Sequence, residues 1–101
     1  MTINKKLDGE KMLVEVEGRL DTTTAPSLDA ELNQSSDLAA VKELVFDFEK
    51  LEYVSSAGLR VLLGTQKTMN THGKMVIKNV NDAIMEVFEI TGFSDILTIE
   101  R

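Results

Sequence analysis

Tyr53-Val-Ser-Ser-Ala-Gly-Leu59 is the stretch on which the fold turns. Before it, Glu43-Leu-Val-Phe-Asp-Phe48 is apolar and β-prone. After it, from Ala57 to about Asn70, apolar residues recur at helical spacing. Ser55 and Ser56 therefore stand where a strand-like run gives way to a helix. The first backbone N–H groups of a helix lack intrahelical partners and carry the positive end of its macrodipole. A serine there can cap the helix, lie beside a bound anion, or hold an added phosphate.

Reading outward toward the C-terminus, Leu59, Leu62, Leu63 and Met69 share an apolar stripe, with Arg60, Gln66 and Lys67 elsewhere on the helix. His72-Gly73 is expected to end it, Gly73 taking the left-handed cap position. Met75-Val-Ile77 predicts a short strand. Asn81 can cap a third helix, on which Ile84, Val87 and Phe88 follow i, i+3, i+4 spacing before Gly92 marks the stop. Ile96 to Ile99 predicts a last strand.

Toward the N-terminus, Leu44, Val45, Phe46 and Phe48 populate both faces, as in a strand that is central or covered on both sides. Thr23 or Thr24 can cap a helix carrying Pro26 in its first turn, with Leu28 and Leu32 toward the core. Gln34-Ser-Ser-Asp37 reads as its frayed end and a loop. Gly18 and Asp21 to Thr24 predict a turn. Lys11 to Glu17 alternates Met12, Val14 and Val16 against Glu15 and Glu17, so one face is buried. Asp8-Gly9 signals a tight hairpin to a first run, Thr2 to Leu7, whose Lys5 and Lys6 suit an edge strand. Strands joined through helices become parallel neighbours, and the opening hairpin is antiparallel. The expectation is an α/β fold: one domain over residues 1–101, with a mixed sheet of four or five strands and three helices packed on it.

With 101 residues, 43% of them hydrophobic, the chain can bury one core and has little room for a deep cleft. A net charge of −6 opposes nucleic acid and anionic lipid as partners and favours basic protein surfaces. No apolar run approaches the roughly 20 residues of a membrane span, and the N-terminus lacks a signal peptide's apolar core. With no cysteine there are no disulfides or thiolate metal sites, which is compatible with the cytoplasm.

A serine nucleophile needs a base within hydrogen-bond reach. His72, the one histidine, falls at the far end of the helix that Ser56 begins, on the order of 20 Å away at 1.5 Å per residue. Val-Ser-Ser-Ala-Gly also departs from the Gly-x-Ser-x-Gly elbow. No catalytic residue is therefore assigned, and no enzyme activity is expected. The six glycines are dispersed, without a phosphate-cradling loop, and Gly58 and Gly64 read as helix-packing positions. Asp21, Asp29 and Asp47 have no metal-ligand spacing and read as caps or solvated groups. The five methionines read as core filling. No cofactor or metal is expected.

At Gly18-Arg-Leu-Asp-Thr-Thr-Thr-Ala25 and Leu51-Glu-Tyr-Val-Ser-Ser-Ala-Gly-Leu59 the chain resembles the STAS family, whose best-known members are bacterial anti-sigma-factor antagonists. The likeness covers nearly the whole chain. It implies a domain that binds a kinase-type anti-sigma factor and releases the sigma factor. The kinase then phosphorylates a serine, which ends the complex, and a serine phosphatase resets the cycle. On these motifs Ser56 falls at the phosphorylated serine, Asp21 near it, and Thr23 and Thr24 in the adjoining loop. Ser55, Ala57 and Gly58 complete the implied partner-binding face. The family's aspartate before the serine is Ser55 here, and its following hydroxyl residue is Ala57. A C-terminal helix of many members is absent from the pattern. The resemblance implies a monomer or weak dimer, without direct membrane insertion. The alternative is an unphosphorylated adaptor of the same fold in a transport or sensory complex.

Overall fold

Gly9, with φ +61°, turns the chain between β1 (Thr2–Asp8) and β2 (Lys11–Leu20), and Asp8 pairs with Lys11 to leave a two-residue Gly9-Glu10 loop. This computed structural model describes residues 1–33 and 36–100. β1 is an antiparallel edge strand, as its lysines suggest. On the other side of β2, β3 (Glu43–Asp47) runs parallel, followed across the sheet by β5 (Lys74–Lys78) and β6 (Ile99–Glu100), also parallel.

The strand the sequence pattern did not separate is β4 (Leu51–Val54). It pairs parallel with Gly18–Leu20, beyond a register shift in β2 at Gly18/Arg19. β3 and β4 thus lie in succession along the same side of β2, as one interrupted strand. Gly18 N donates to Lys50 O at 2.9 Å across the interruption. Gly18, expected in a turn, sits inside β2 with φ +92°, a conformation other residues adopt at a cost. Among the described residues the expected mixed sheet has six strands, β4 being the addition.

Among the described residues three α-helices pack on this mixed sheet: α1 (Ala25–Leu32), α2 (Ser56–Asn70) and α3 (Asp82–Thr91). Leu28 and Leu32 of α1, Leu59, Leu62 and Met69 of α2, and Ile84 and Phe88 of α3 join one core with Met12, Val14, Val16, Leu44, Phe46 and Ile77. Each fully buried side chain of this size contributes about 1.5–3 kcal/mol. Val45 is buried yet lies outside that core, on the opposite face, in register with Leu13 and Val76. Charged side chains border this apolar row: Glu43 bridges Lys11 at 3.3 Å and Lys74 at 3.2 Å, and Lys6 meets Glu15 at 3.5 Å. Lys74 and then Lys11 hold the Glu43 carboxyl below its usual range. β3 is therefore central in the sheet, with the helices' buried residues gathered on one face.

Several boundaries differ from the expectation. Gln66 is buried at 5% exposure beside fully buried Thr65, although its polarity predicts a place off the stripe, whereas Leu63 is half-buried. The C-cap of α2 is Thr71, at φ −78°, not a left-handed Gly73. Gly73 is required instead by a close approach, since a Cβ there would lie 2.4 Å from Lys42 O. The final strand is confined to Ile99–Glu100, and Ile96 lies in the turn that follows a 3-10 segment, Phe93–Asp95. Gly92 does stop α3 in the left-handed conformation, at φ 81°. Of the loop expected at 34–37, the first two positions lie outside the described residues, and Ser36–Ala40 forms a 3-10 turn. No helix among the described residues is long and apolar enough to cross a membrane.

Candidate functional site

Leu20 and Val54 pair at the tips of β2 and β4, and Leu20 O accepts a hydrogen bond from Ser55 N at 2.8 Å. From that anchor the chain enters α2. Ser55 is extended (φ −97°, ψ 174°), and its Oγ accepts from Gly58 N at 3.3 Å, so Ser55 is the N-cap. Ser56 is the first helical residue. It is exposed, and its hydroxyl has no hydrogen-bond partner among the described residues. Tandem serines thus divide two tasks: one holds the helix and the other faces solvent.

Gly58 fixes how closely α2 starts to the strand tips. A Cβ there would lie 2.7 Å from Leu20 Cγ and 3.0 Å from both Leu20 O and Val54 Cγ2. Gly58 is buried, so its part is positional. Ala57 is half-buried beside it.

After Leu20 the chain forms a tight turn around Asp21. Its Oδ1 accepts from Thr23 Oγ1 at 2.7 Å, Thr23 N at 3.0 Å and Thr24 N at 3.2 Å, while Oδ2 lies 3.6 Å from Arg19 Nε. The Thr23 hydroxyl is the largest cause holding the Asp21 carboxyl at a pKa of about 2; desolvation, next in size, opposes it, and the backbone N–H groups of Thr23 and Thr24 and the Thr24 hydroxyl lower it further. Thr24 precedes α1, but its side chain makes no cap hydrogen bond. It donates to Arg19 O at 2.8 Å and accepts from Asp21 N at 2.8 Å. The hydroxyl expected to cap α1 is thus used to close the turn, with Pro26 in the helix's first turn as expected.

Arg19 and Tyr53 are cross-strand partners, and the guanidinium lies 4.2 Å from the ring centroid. An open groove between α1 and α2 is lined by Thr22, Ala25, Pro26, Asp29, Ala57, Arg60 and Val61. Sequence reasoning missed Arg19, Tyr53, Pro26, Asp29 and Arg60 as members of this surface. The first two become neighbours only once β4 is known to pair with β2. Arg60 carried a signal, its four-residue spacing from Ser56.

All seven residues singled out in the sequence (Asp21, Thr23, Thr24, Ser55, Ser56, Ala57 and Gly58) therefore meet at one end of the molecule. His72 does not join them. At the other end of α2 its Nε2 is 2.9 Å from Leu38 O and its Nδ1 3.0 Å from Thr71 Oγ1. Asp29 accepts from Asn33 Nδ2 at 2.8 Å, and Asp47 accepts from Glu49 N at 3.0 Å and Asn79 Nδ2 at 3.1 Å. Both act as local hydrogen-bond acceptors.

A family model, the STAS domain, matches residues 2–101. BtrV of Bordetella bronchiseptica, a candidate anti-sigma factor antagonist, is 35% identical over 95 residues, covering 93% of this chain and 80% of that protein. The anti-sigma-B factor antagonist of Staphylococcus aureus is 33% identical over 89 residues, covering 87% and 82%. An anti-sigma factor antagonist from Mycobacterium paratuberculosis superposes with a TM-score of 0.86 at 22% identity, over 98% of this chain and 84% of that one. SpoIIAA, an anti-sigma factor antagonist of Bacillus, has been solved in unphosphorylated and phosphorylated forms. Each superposes with a TM-score of 0.76 at 19% identity, over 97% of this chain and 86% or 90% of that one.

Proposed function

The chain belongs to the STAS domain family, and we propose that it is an anti-sigma-factor antagonist whose partner binding is switched off by phosphorylation of Ser56. The whole of residues 1–101 serves as one binding domain without catalytic activity of its own, working in the cytoplasm as a monomer or weak dimer. The end formed by α2, the strand tips and the Asp21–Thr24 turn docks on a kinase-type anti-sigma factor, which frees the sigma factor for transcription. In the switching step Ser56 Oγ takes the terminal phosphoryl group of ATP on the partner. An O–P bond forms at the serine, the bond to ADP breaks, and the hydroxyl proton leaves. A serine phosphatase hydrolyses the ester and restores the binding form.

The observation that carries this reading is the separation of the two hydroxyls. Ser55 is engaged as the cap, and Ser56, next to it, is exposed. A phosphate on Ser56 adds about −1.5 to −2 charges beside α2's N-terminus, where the dipole tolerates them, so the fold survives a modification that the interface does not. The names of the Bordetella bronchiseptica and Staphylococcus aureus relatives support the assignment as an anti-sigma-factor antagonist.

Titration against the anti-sigma factor tests it. Ser56→Ala is expected to bind as the wild type does, and Ser56→Asp or Ser56→Glu to bind at least about tenfold more weakly. Equal affinity of the acidic variants and the wild type would reject the switch. Incubation with the partner and ATP is expected to add about 80 Da, one phosphate, to the peptide holding Ser55 and Ser56. Intact binding without that adduct would leave a constitutive adaptor.

A further inference from the structure

We propose that Arg60 is the side chain through which a phosphate on Ser56 acts: unmodified, the protein offers Arg60 to a carboxylate of its docking partner, and the phosphate withdraws it. This rests on the function proposed above and specifies how the same surface is regulated. Ser56 and Arg60 are the first and fifth residues of α2, four apart and both exposed, so they are neighbours on one helical face. Their register is rigid. The Ser55 cap and the close approach at Gly58 fix the first turn against the tips of β2 and β4.

Arg60 stands at an unfavourable place for a cation. It lies next to the positive end of α2's macrodipole, and the first turn has no acidic residue to offset it. No ion pair to Arg60 occurs among the described residues; the same holds for Lys42, Lys67 and Lys78, whereas Lys6, Lys11, Arg19, Lys50 and Lys74 have carboxylate partners. Asp29 lines the same groove without an ion pair to Arg60 among the described residues; its Oδ1 accepts from Asn33 Nδ2 at 2.8 Å. The chain's net charge is −6, yet this spot combines helix N–H groups with an unpaired guanidinium, so it complements an acidic side chain on the partner. A guanidinium binds carboxylate and phosphate oxygens through the same N–H fork, so one group can serve both states in turn.

The test separates this claim from the function it rests on by installing phosphoserine at position 56 during translation, with no kinase involved. The second ionisation of the phosphate is then followed by phosphorus NMR in the folded protein. The midpoint is expected to lie about half a pH unit lower with Arg60 present than in Arg60→Gln, with Arg60→Lys in between. Helix N–H groups act equally on all three variants, so the difference isolates the side chain. Coincident midpoints would overturn capture of Arg60. In the unmodified protein, Arg60→Gln is expected to bind the anti-sigma factor about three- to tenfold more weakly and Arg60→Glu more weakly still. Wild-type affinity in Arg60→Glu would overturn the partner contact. Failure of the unmodified wild type to bind at all would strike the proposed function instead, and the phosphate midpoints would still decide capture.

Discussion

At the start of α3, Asn81 accepts a hydrogen bond from Ile84 N at 2.9 Å, and the first and fifth helical positions hold Asp82 and Glu86; at the start of α2, Ser55 accepts from Gly58 N at 3.3 Å, and the same positions hold Ser56 and Arg60. Both helices are capped at their third N–H group. They differ in what surrounds the cap. α3 has an acid in its first turn, which complements the dipole by about 0.3–1 kcal/mol. It also has a buried isoleucine at the third position and a second tie, from Asn81 Nδ2 to Leu51 O at 2.9 Å. α2 has no acid there, and its third position is a glycine, which costs roughly 1 kcal/mol in helix propensity. The beginning of α3 is optimised for stability. That of α2 gives up stability for a close fit to the strand tips and for exposed Ser56 and Arg60 side chains.

The largest expected effect comes from filling the glycine that sets this fit. Gly58→Ala puts a methyl group 2.7 Å from Leu20 Cγ and 3.0 Å from Leu20 O, and a backbone oxygen cannot swing aside. Despite the better helix propensity of alanine, a loss of about 1–3 kcal/mol is expected in urea unfolding. Gly64, later in the same helix, has nothing within 4 Å of its missing Cβ, and Gly64→Ala is expected to gain about 0.5–1 kcal/mol. Equal and favourable effects at both positions would remove the close approach from the account of α2.

Next come the caps themselves. Asn81→Ala removes the bond to Ile84 N and leaves Leu51 O without its side-chain donor, so about 1–2 kcal/mol is expected to be lost. Ser55→Ala removes one longer bond and is expected to cost about 0.5–1 kcal/mol. Denaturation midpoints of the two variants measure the difference. A larger loss at Ser55 than at Asn81 would reverse the assignment of stability to α3's start and accessibility to α2's.

The parts of this contrast that depend on local chemistry were legible in the sequence. Asn81 before an apolar i, i+3, i+4 series and Gly92 after it bound α3 correctly, because a cap and a left-handed stop act within one turn. Ser55 and Ser56 were located at α2's start, but which one caps could not be read, since both hydroxyls fit the local pattern. What depends on strand pairing stayed hidden. Leu51–Val54 is only four residues, too short to show a period, so β4 and its pairing with β2 past Gly18 were missed. With it went the Arg19–Tyr53 stack. The roles of Gly18 and Gly73 were misassigned for a related reason: each answers to a distant backbone, Lys50 O or Lys42 O, that local propensity does not contain. The polarity of Gln66 points to solvent, while its burial is decided by the packing of α2 on the sheet.

The smallest effect concerns the turn beside α2. Asp21 has a pKa of about 2 in the folded protein, below its ordinary value, chiefly because the Thr23 hydroxyl and the Thr23 and Thr24 N–H groups bind its ionised form. A carboxyl whose folded pKa is depressed contributes stability above its unfolded pKa and loses it as pH falls through the folded one. The contribution is therefore complete above about pH 4 and declines toward pH 2. Amide shifts of Thr23 and Thr24 are expected to titrate together with a midpoint near that folded value. Gly58 N, whose acceptor is the Ser55 hydroxyl, is expected not to follow them. In Asp21→Asn the shared titration disappears. A midpoint at the ordinary carboxylate value would show that the threonine hydrogen bonds do not persist in solution, and the turn would then be free to move relative to Ser56. If the low midpoint holds, the turn beside Ser56 carries the ionised Asp21 carboxylate, 3.6 Å from Arg19 Nε, throughout the physiological range. A phosphate at Ser56 then adds its charge next to a turn whose own carboxylate is already ionised.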